Sequence, residues 1–214
     1  VTSLSYTDDD LIAHLKARLV RDPPDRSAPH TGGDHALGDP LPSISPIRPA
    51  AVLVPLIPHE APSGVRYTML LTQRAATLRQ HPAQISFPGG KIDPEDPSPL
   101  AAALREADEE IGLPASLVCP LGYLDGYLSA TGYAIVPVVG LVDPRFTPRP
   151  NPEEVDDVFE VPLDFLMDVN HHERHAREWH GTLRHYYAMP WGKRYIWGAT
   201  AGIIRNLYER LYGP

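Results

Sequence analysis

Apolar residues spaced three and four apart mark three stretches of the chain as helices. Leu11, Ile12, Leu15 and Leu19 predict a helix over 6–20, with Thr7 as its cap and acids in its first turn. Leu100, Ala103, Leu104, Ala107 and Ile111 predict a second over 98–111. Ser98 and Pro99 suit its start, and Gly112 suits its stop. Ile203, Ile204, Leu207 and Leu211 share one face of a closing helix over 200–211. Shorter apolar, β-leaning runs predict strands over 51–57, 67–72, 84–87, 118–127, 133–142 and 158–161, the last followed by a short helix from Pro162. A hairpin over 184–189 and 194–197 turns at Trp191-Gly192, with Tyr187, Trp191 and Tyr195 packed in or beside it. Between the first helix and the first strand, 22–50 carries seven prolines and three glycines, which predicts an arm without regular structure. The expected fold class is α/β, a mixed sheet covered by helices on both faces. A helix and Pro-rich arm over 1–50 precede a single domain over 51–214.

Composition narrows the function. The 214 residues carry 19 Lys and Arg against 27 Asp and Glu, a formal charge of −8. A surface this acidic, with no long basic run, argues against general nucleic-acid binding, which needs a broad positive face. No apolar run approaches the length of a membrane span. The polar, acidic residues 1–10 do not read as a signal peptide, so a cytoplasmic, reducing setting is expected. Cys119 is the only cysteine, which excludes a zinc site built on several thiolates and predicts a small core residue. His171, His172, His175 and His180 lack metal-ligand spacing and predict a solvated turn.

The chemistry concentrates on the helix over 98–111. Glu106, Glu109 and Glu110 fall together beside its apolar stripe, and Arg105 stands one turn before Glu109. Each close pair of like charges costs about 0.2–0.5 kcal/mol on an exposed helix. A solvated acidic face tolerates that cost, and a cation relieves it. One short loop upstream, Phe87-Pro88-Gly89-Gly90 supplies a turn whose backbone approaches a ligand without Cβ interference. Carboxylates and a glycine carbonyl are the oxygen donors that Mg²⁺ and Mn²⁺ prefer.

Here the sequence resembles a Nudix box: glycine, five residues, glutamate, seven residues, then R-E-U-x-E-E-x-G-U, where U is a bulky aliphatic. Gly90 begins it and Arg105-Glu106-Ala107-Asp108-Glu109-Glu110-Ile111-Gly112-Leu113 ends it. The interval between them is one residue longer, and Asp96 or Glu95 stands where the first glutamate falls. Upstream, Leu70-Leu71-Thr72-Gln73-Arg74, Leu78-Arg79-Gln80-His81 and Gln84-Ile85-Ser86-Phe87-Pro88-Gly89-Gly90 resemble the signature of coenzyme A diphosphatases within that superfamily. Residues 128–133 and 195–201 resemble it too.

The resemblance implies an α/β/α Nudix sandwich that hydrolyses the diphosphate of coenzyme A to 3′,5′-ADP and 4′-phosphopantetheine. It implies Mg²⁺ or Mn²⁺ held by Glu106, Glu110, Glu109 and the Gly90 carbonyl. Glu106, or Glu153 or Glu154 from the later loop, would be the general base, and Arg105 would orient a glutamate. Arg74 and Arg79 either bind phosphate beside Gly89 and Gly90 or make surface salt bridges. Two other readings remain: a Nudix hydrolase for ADP-ribose or another nucleoside diphosphate derivative, and a non-catalytic sensor of nucleotide or coenzyme A. A monomer and a homodimer fit equally.

Overall fold

The computed structural model describes residues 8–24, 32–33, 37–38, 46–62, 64–78, 80–179 and 181–213. In chain order these form α1 (Asp8–Arg18), β1 (Gly32–Gly33), β2 (Arg48–Ala61), β3 (Gly64–Arg74), β4 (Ile85–Ser86), β5 (Gly89–Lys91) and α2 (Pro99–Ile111). There follow β6 (Val118–Tyr123), β7 (Tyr127–Leu128), β8 (Tyr133–Val142), β9 (Val155–Pro162) and α3 (Leu163–Leu166). The chain closes with β10 (Glu173–Trp179), β11 (Thr182–Trp191), β12 (Arg194–Trp197) and α4 (Ala199–Tyr212).

Among the described residues, β1 to β9 form one mixed sheet around β2, which runs parallel to β8 and antiparallel to β3 and β5. Alternation along each strand sends side chains to opposite faces. Ala51 and Leu53 of β2, Leu70 of β3 and Val138 of β8 pack with Ala103, Ala107 and Ile111 of α2. Val54, Leu56, Met69, Leu71 and Val139 face the other way, onto Leu11 and Leu15 of α1 and Ile204 and Leu207 of α4. Each fully buried Val, Leu, Ile or Met side chain among them contributes about 1.5–3 kcal/mol. The result is the expected α/β sheet with helices on both faces.

Several local expectations are corrected. β2 runs on through Pro58, because β8 pairs it only as far as Leu56, and proline is tolerated where a strand is paired on one side. The run over 118–127 is two strands, β6 and β7, and the register of β6 against β8 shifts between Pro120 and Gly122. Cys119 is exposed, not a core residue, because it stands in the unburied first half of β6, a strand paired along its length with β8. The histidine segment is no solvated turn. His171 stacks on Phe165, with centroids 4.0 Å apart, and half-buried His172 bonds the Leu166 carbonyl at 2.7 Å. His175 lies in β10, an unforeseen strand that pairs with β11. His180 and the Thr7 cap lie outside the described residues. Within the expected arm, β1 pairs parallel to β7, and Arg174 donates to the Leu37 carbonyl at 2.7 Å. No helix among the described residues is long and apolar enough to cross a membrane.

Candidate functional site

α2 is fixed at both ends by its own sequence. The Ser98 hydroxyl accepts the Ala101 N–H at 3.1 Å, Pro99 fills the first helical position, and Gly112 takes the left-handed conformation (φ 66°) that stops the helix. The buried alanines Ala102, Ala103 and Ala107 let α2 lie close on β2 and β5. That approach carries the glutamates to the Gly89–Gly90 strand.

The three glutamates are not equivalent. Glu110 is buried, with 2% exposure; the Glu106 side chain is 17% exposed and that of Glu109 54%. At about 100° per residue, Glu106 lies between the other two, which stand a quarter-turn apart and so point to protein and to solvent. The Glu110 carboxylate accepts the Gly89 N–H at 3.1 Å, and its other oxygen lies 3.6 Å from Arg74 Nη1. Burial pushes its pKa up to about 8, with a smaller push from Glu106 and Glu154; the Gly89 hydrogen bond and Arg74 oppose it. Burial also raises Glu106, against the pull of Arg105.

Gly89 and Gly90 are required by close approach. A Cβ on Gly89 would stand 2.4 Å from the Ala51 carbonyl oxygen, and its φ is 153°. A Cβ on Gly90 would stand 2.4 Å from the Glu106 carboxyl carbon. Arg105 is the hub of the helix edge. It donates to both oxygens of Asp96 at 3.1 and 2.9 Å, to Glu106 and to Glu109 at 3.0 Å each, and to the Lys91 carbonyl at 3.2 Å. The Arg105 hydrogen bonds hold the Asp96 carboxyl below the usual range. Asp96, not exposed Glu95, is therefore the acid that engages the helix.

The loop before β9 meets the same edge. The Asn151 N–H donates to the Glu110 carbonyl at 2.9 Å, and Ala75 N–H donates to the Glu154 carbonyl at 2.9 Å. Glu154 is half-buried, with an oxygen 3.3 Å from Asn151 Nδ2, whereas Glu153 is exposed. Glu106, Glu110, Glu154, Arg74, Gly89 and Gly90 all line one cavity of about 800 Å³, a size suited to a nucleotide-sized ligand. Glu109 and Arg105 reach its rim, and Arg79 lies outside the described residues. The Arg74 Nε is buried with no hydrogen-bond partner among the described residues.

The donor set fits a hard divalent cation in an open site. Two carboxylates whose charged forms are disfavoured by burial face a glycine turn, with Arg74 3.6 Å from Glu110 and Arg105 3.0 Å from Glu106. Among the described residues no group of three His, Cys, Asp or Glu is arranged to hold a metal ion, so the side chains offer a pair of carboxylates. Mg²⁺ characteristically uses one or two carboxylates and leaves its other positions to water and substrate phosphates.

The far side of the cavity was not anticipated as part of a site. It is built by the three-stranded sheet β10–β12, through Arg177, Arg184, Tyr186 and Trp197, and by Ser129 and Thr131 before β8. Residues 173–179 read Glu-Arg-His-Ala-Arg-Glu-Trp, with no apolar alternation to announce a strand.

Comparison with known proteins agrees on one family. The NUDIX domain model matches residues 47–181. The chain is 42% identical over 166 residues to proteins named "Uncharacterized Nudix hydrolase NudL" of Yersinia pestis (strain Pestoides F) and of Yersinia pseudotuberculosis serotype O:1b (strain IP 31758), covering 77% of this chain and 80% of each relative. Among solved structures, RenU, a Nudix hydrolase from M. smegmatis, is 24% identical, covers 57% of this chain and 74% of its own, and has a TM-score of 0.43. The NUDIX domain of Shewanella oneidensis NrtR, complexed with ADP ribose, is 18% identical, covers 83% and 97%, and has a TM-score of 0.49.

Proposed function

The chain belongs to the Nudix family, and from that premise we propose that it hydrolyses the diphosphate of coenzyme A, with Mg²⁺ or Mn²⁺, to 3′,5′-ADP and 4′-phosphopantetheine. The observation that carries the reading is the convergence of Glu106 and buried Glu110 on the Gly89–Gly90 turn, inside a cavity large enough for a nucleotide.

Glu106 and Glu110 would hold the cation, with the Gly90 carbonyl and Glu109 as further oxygen donors. When bound, the cation neutralises diphosphate oxygens and favours attack by water. Glu154, which lines the cavity where Glu153 does not, takes one proton of the attacking water onto its carboxylate. The water oxygen bonds to phosphorus, and the bond from phosphorus to the bridging oxygen breaks. The departing phosphate keeps that oxygen and its electron pair, and Arg74 offers it an N–H donor. Arg105 keeps Glu106 aligned and touches no substrate.

Preference for coenzyme A is supported by the upstream segments 70–74 and 84–90. Of these, Arg74, Gln84 and Phe87 line the cavity that leads to the glycines. A panel of coenzyme A, ADP-ribose and nucleoside triphosphates with each metal, resolved by chromatography, tests this. The expected outcome is release of 3′,5′-ADP and 4′-phosphopantetheine from coenzyme A faster than any other cleavage. Intact coenzyme A alongside cleaved ADP-ribose would overturn the substrate. Binding without any metal-dependent cleavage would make the chain a sensor.

A further inference from the structure

The loop from β3 to β4 holds the two residues other than glycine that take a left-handed backbone among those described. His81 has a φ of 55° and Ala83 a φ of 57°. The conformation is uncommon for any residue with a Cβ. At Ala83 it has a local reason. The Gln84 N–H donates to the His81 carbonyl at 3.3 Å and closes a turn with Pro82 second and Ala83 third. A type II turn requires a positive φ at that third residue. His81 is the first residue of the turn, whose φ the turn leaves open, and it precedes a proline, which favours extended backbone. Neither the turn nor the proline accounts for its left-handed φ.

Strain of this kind gathers where a ligand is held, because it fixes the direction of a side chain. His81 lines the cavity of Glu106 and Glu110, with Gln80 and Gln84 beside it. The residue is half-buried, and its imidazole has no hydrogen-bond or ion-pair partner among the described residues. Arg74 belongs to the same wall. Its backbone N–H donates to the Gln84 carbonyl at 2.9 Å, so two backbone hydrogen bonds link it to His81. Its Nε is buried and also without a partner among the described residues. Polar groups in such positions are normally satisfied, and a neutral imidazole in either tautomer has one N–H to give. Phosphate oxygens are the acceptors that suit an imidazole beside a guanidinium.

We propose that His81 is a substrate contact: its imidazole donates an N–H to a phosphoryl oxygen of the ligand's diphosphate, beside Arg74. The left-handed backbone at residue 81 aims it into the cavity. The contact rests on the reading of the glutamate edge given above.

Calorimetric titration of the full chain, without divalent metal, tests it with two probes. Adenosine 5′-(α,β-methylene)diphosphate carries an uncleavable diphosphate, and adenosine carries none. His81→Ala is expected to bind the diphosphate analogue about tenfold more weakly than the native chain, the loss of one hydrogen bond to a charged group. One of His81→Gln and His81→Asn, whose amide N–H replaces that of Nε2 or Nδ1, recovers most of the loss, and adenosine binds alike throughout. His81→Gly separates binding from folding, because glycine takes a φ of 55° without steric cost. It binds the analogue as weakly as His81→Ala but melts at a higher temperature, and it serves if His81→Ala does not fold. Native affinity in His81→Ala or His81→Gly, an equal loss for adenosine, or no recovery by either amide would overturn the contact. So would a native chain that binds the analogue no more tightly than adenosine. Because this titration needs neither metal nor turnover, an inactive enzyme that shows the expected pattern contradicts the hydrolase reading and leaves the contact standing.

Discussion

Glu110→Gln lowers turnover by about three orders of magnitude and leaves the fold intact. The substitution preserves shape, and the new amide oxygen still accepts the Gly89 N–H that the carboxylate accepts at 3.1 Å. What it removes is a carboxylate that would hold the cation at the glycine turn. Loss of a cation ligand at a phosphoryl site costs several kcal/mol of transition-state stabilisation, and about 4 kcal/mol corresponds to about 10³ in rate. The stability effect runs the other way. Burial lifts the Glu110 pKa from 4.5 to about 8, so the native metal-free chain holds a proton there that the unfolded chain has already released. Its stability therefore falls as pH climbs from about 5 through 8. Glu110→Gln removes that slope, so it melts no lower than the native protein at pH 8. Initial rates and metal-free melting curves at pH 6 and 8 check both halves. Retained activity with a lowered melting temperature would make Glu110 a structural residue only.

Gly90→Ala lowers turnover about a hundredfold with a much smaller loss of stability. The added Cβ would stand within 2.5 Å of the carboxyl carbon and both oxygens of Glu106. These atoms end a flexible side chain, so the backbone stays and the carboxylate swings away. Arg105, which holds that carboxylate at 3.0 Å, loses the contact. A displacement of about 1 Å in a reacting constellation costs about 10² in rate. Steady-state kinetics beside a denaturant midpoint separates the two effects. A large shift in midpoint with proportionate loss of rate would mean that the glycine serves folding alone.

Legibility in the sequence followed the strength of local signals. α2 declared itself because its cap, its proline, its stripe and its stopping glycine all agree on one element. The α4 face and the strands around the β2–β3 pair were equally plain, since β-branched and aliphatic runs there are buried on both faces. Helical spacing grouped Glu106, Glu109 and Glu110, but spacing alone does not say which edge of the group meets the sheet. Packing decides that, and it buries Glu110 while leaving Glu109 at the rim. The role of Asp96 was open beside Glu95 until the reach of Arg105 chose between them. β10 stayed hidden because its two apolar residues, Ala176 and Trp179, fall on opposite faces among charged and polar neighbours. Its face meets the cavity rather than an apolar core, so the alternation that usually reveals a strand is missing. Arg177 and Arg184 are seven residues apart in sequence, and only the hairpin register brings them opposite each other. The β6–β7 break lies over 124–126, where Asp125-Gly126 is the signal in the run, and the bulge between Pro120 and Gly122 falls earlier, inside β6.

A divalent cation held at the edge formed by Glu106 and Glu110 is detected by titration of Mn²⁺ followed by electron paramagnetic resonance. The cation must displace the proton that burial keeps on Glu110, so native affinity should rise at least about tenfold from pH 6 to pH 8. Glu110→Gln should bind weakly and equally at both. If the native chain and the variant titrate alike at pH 8, the cation sits elsewhere and Glu110 is no ligand.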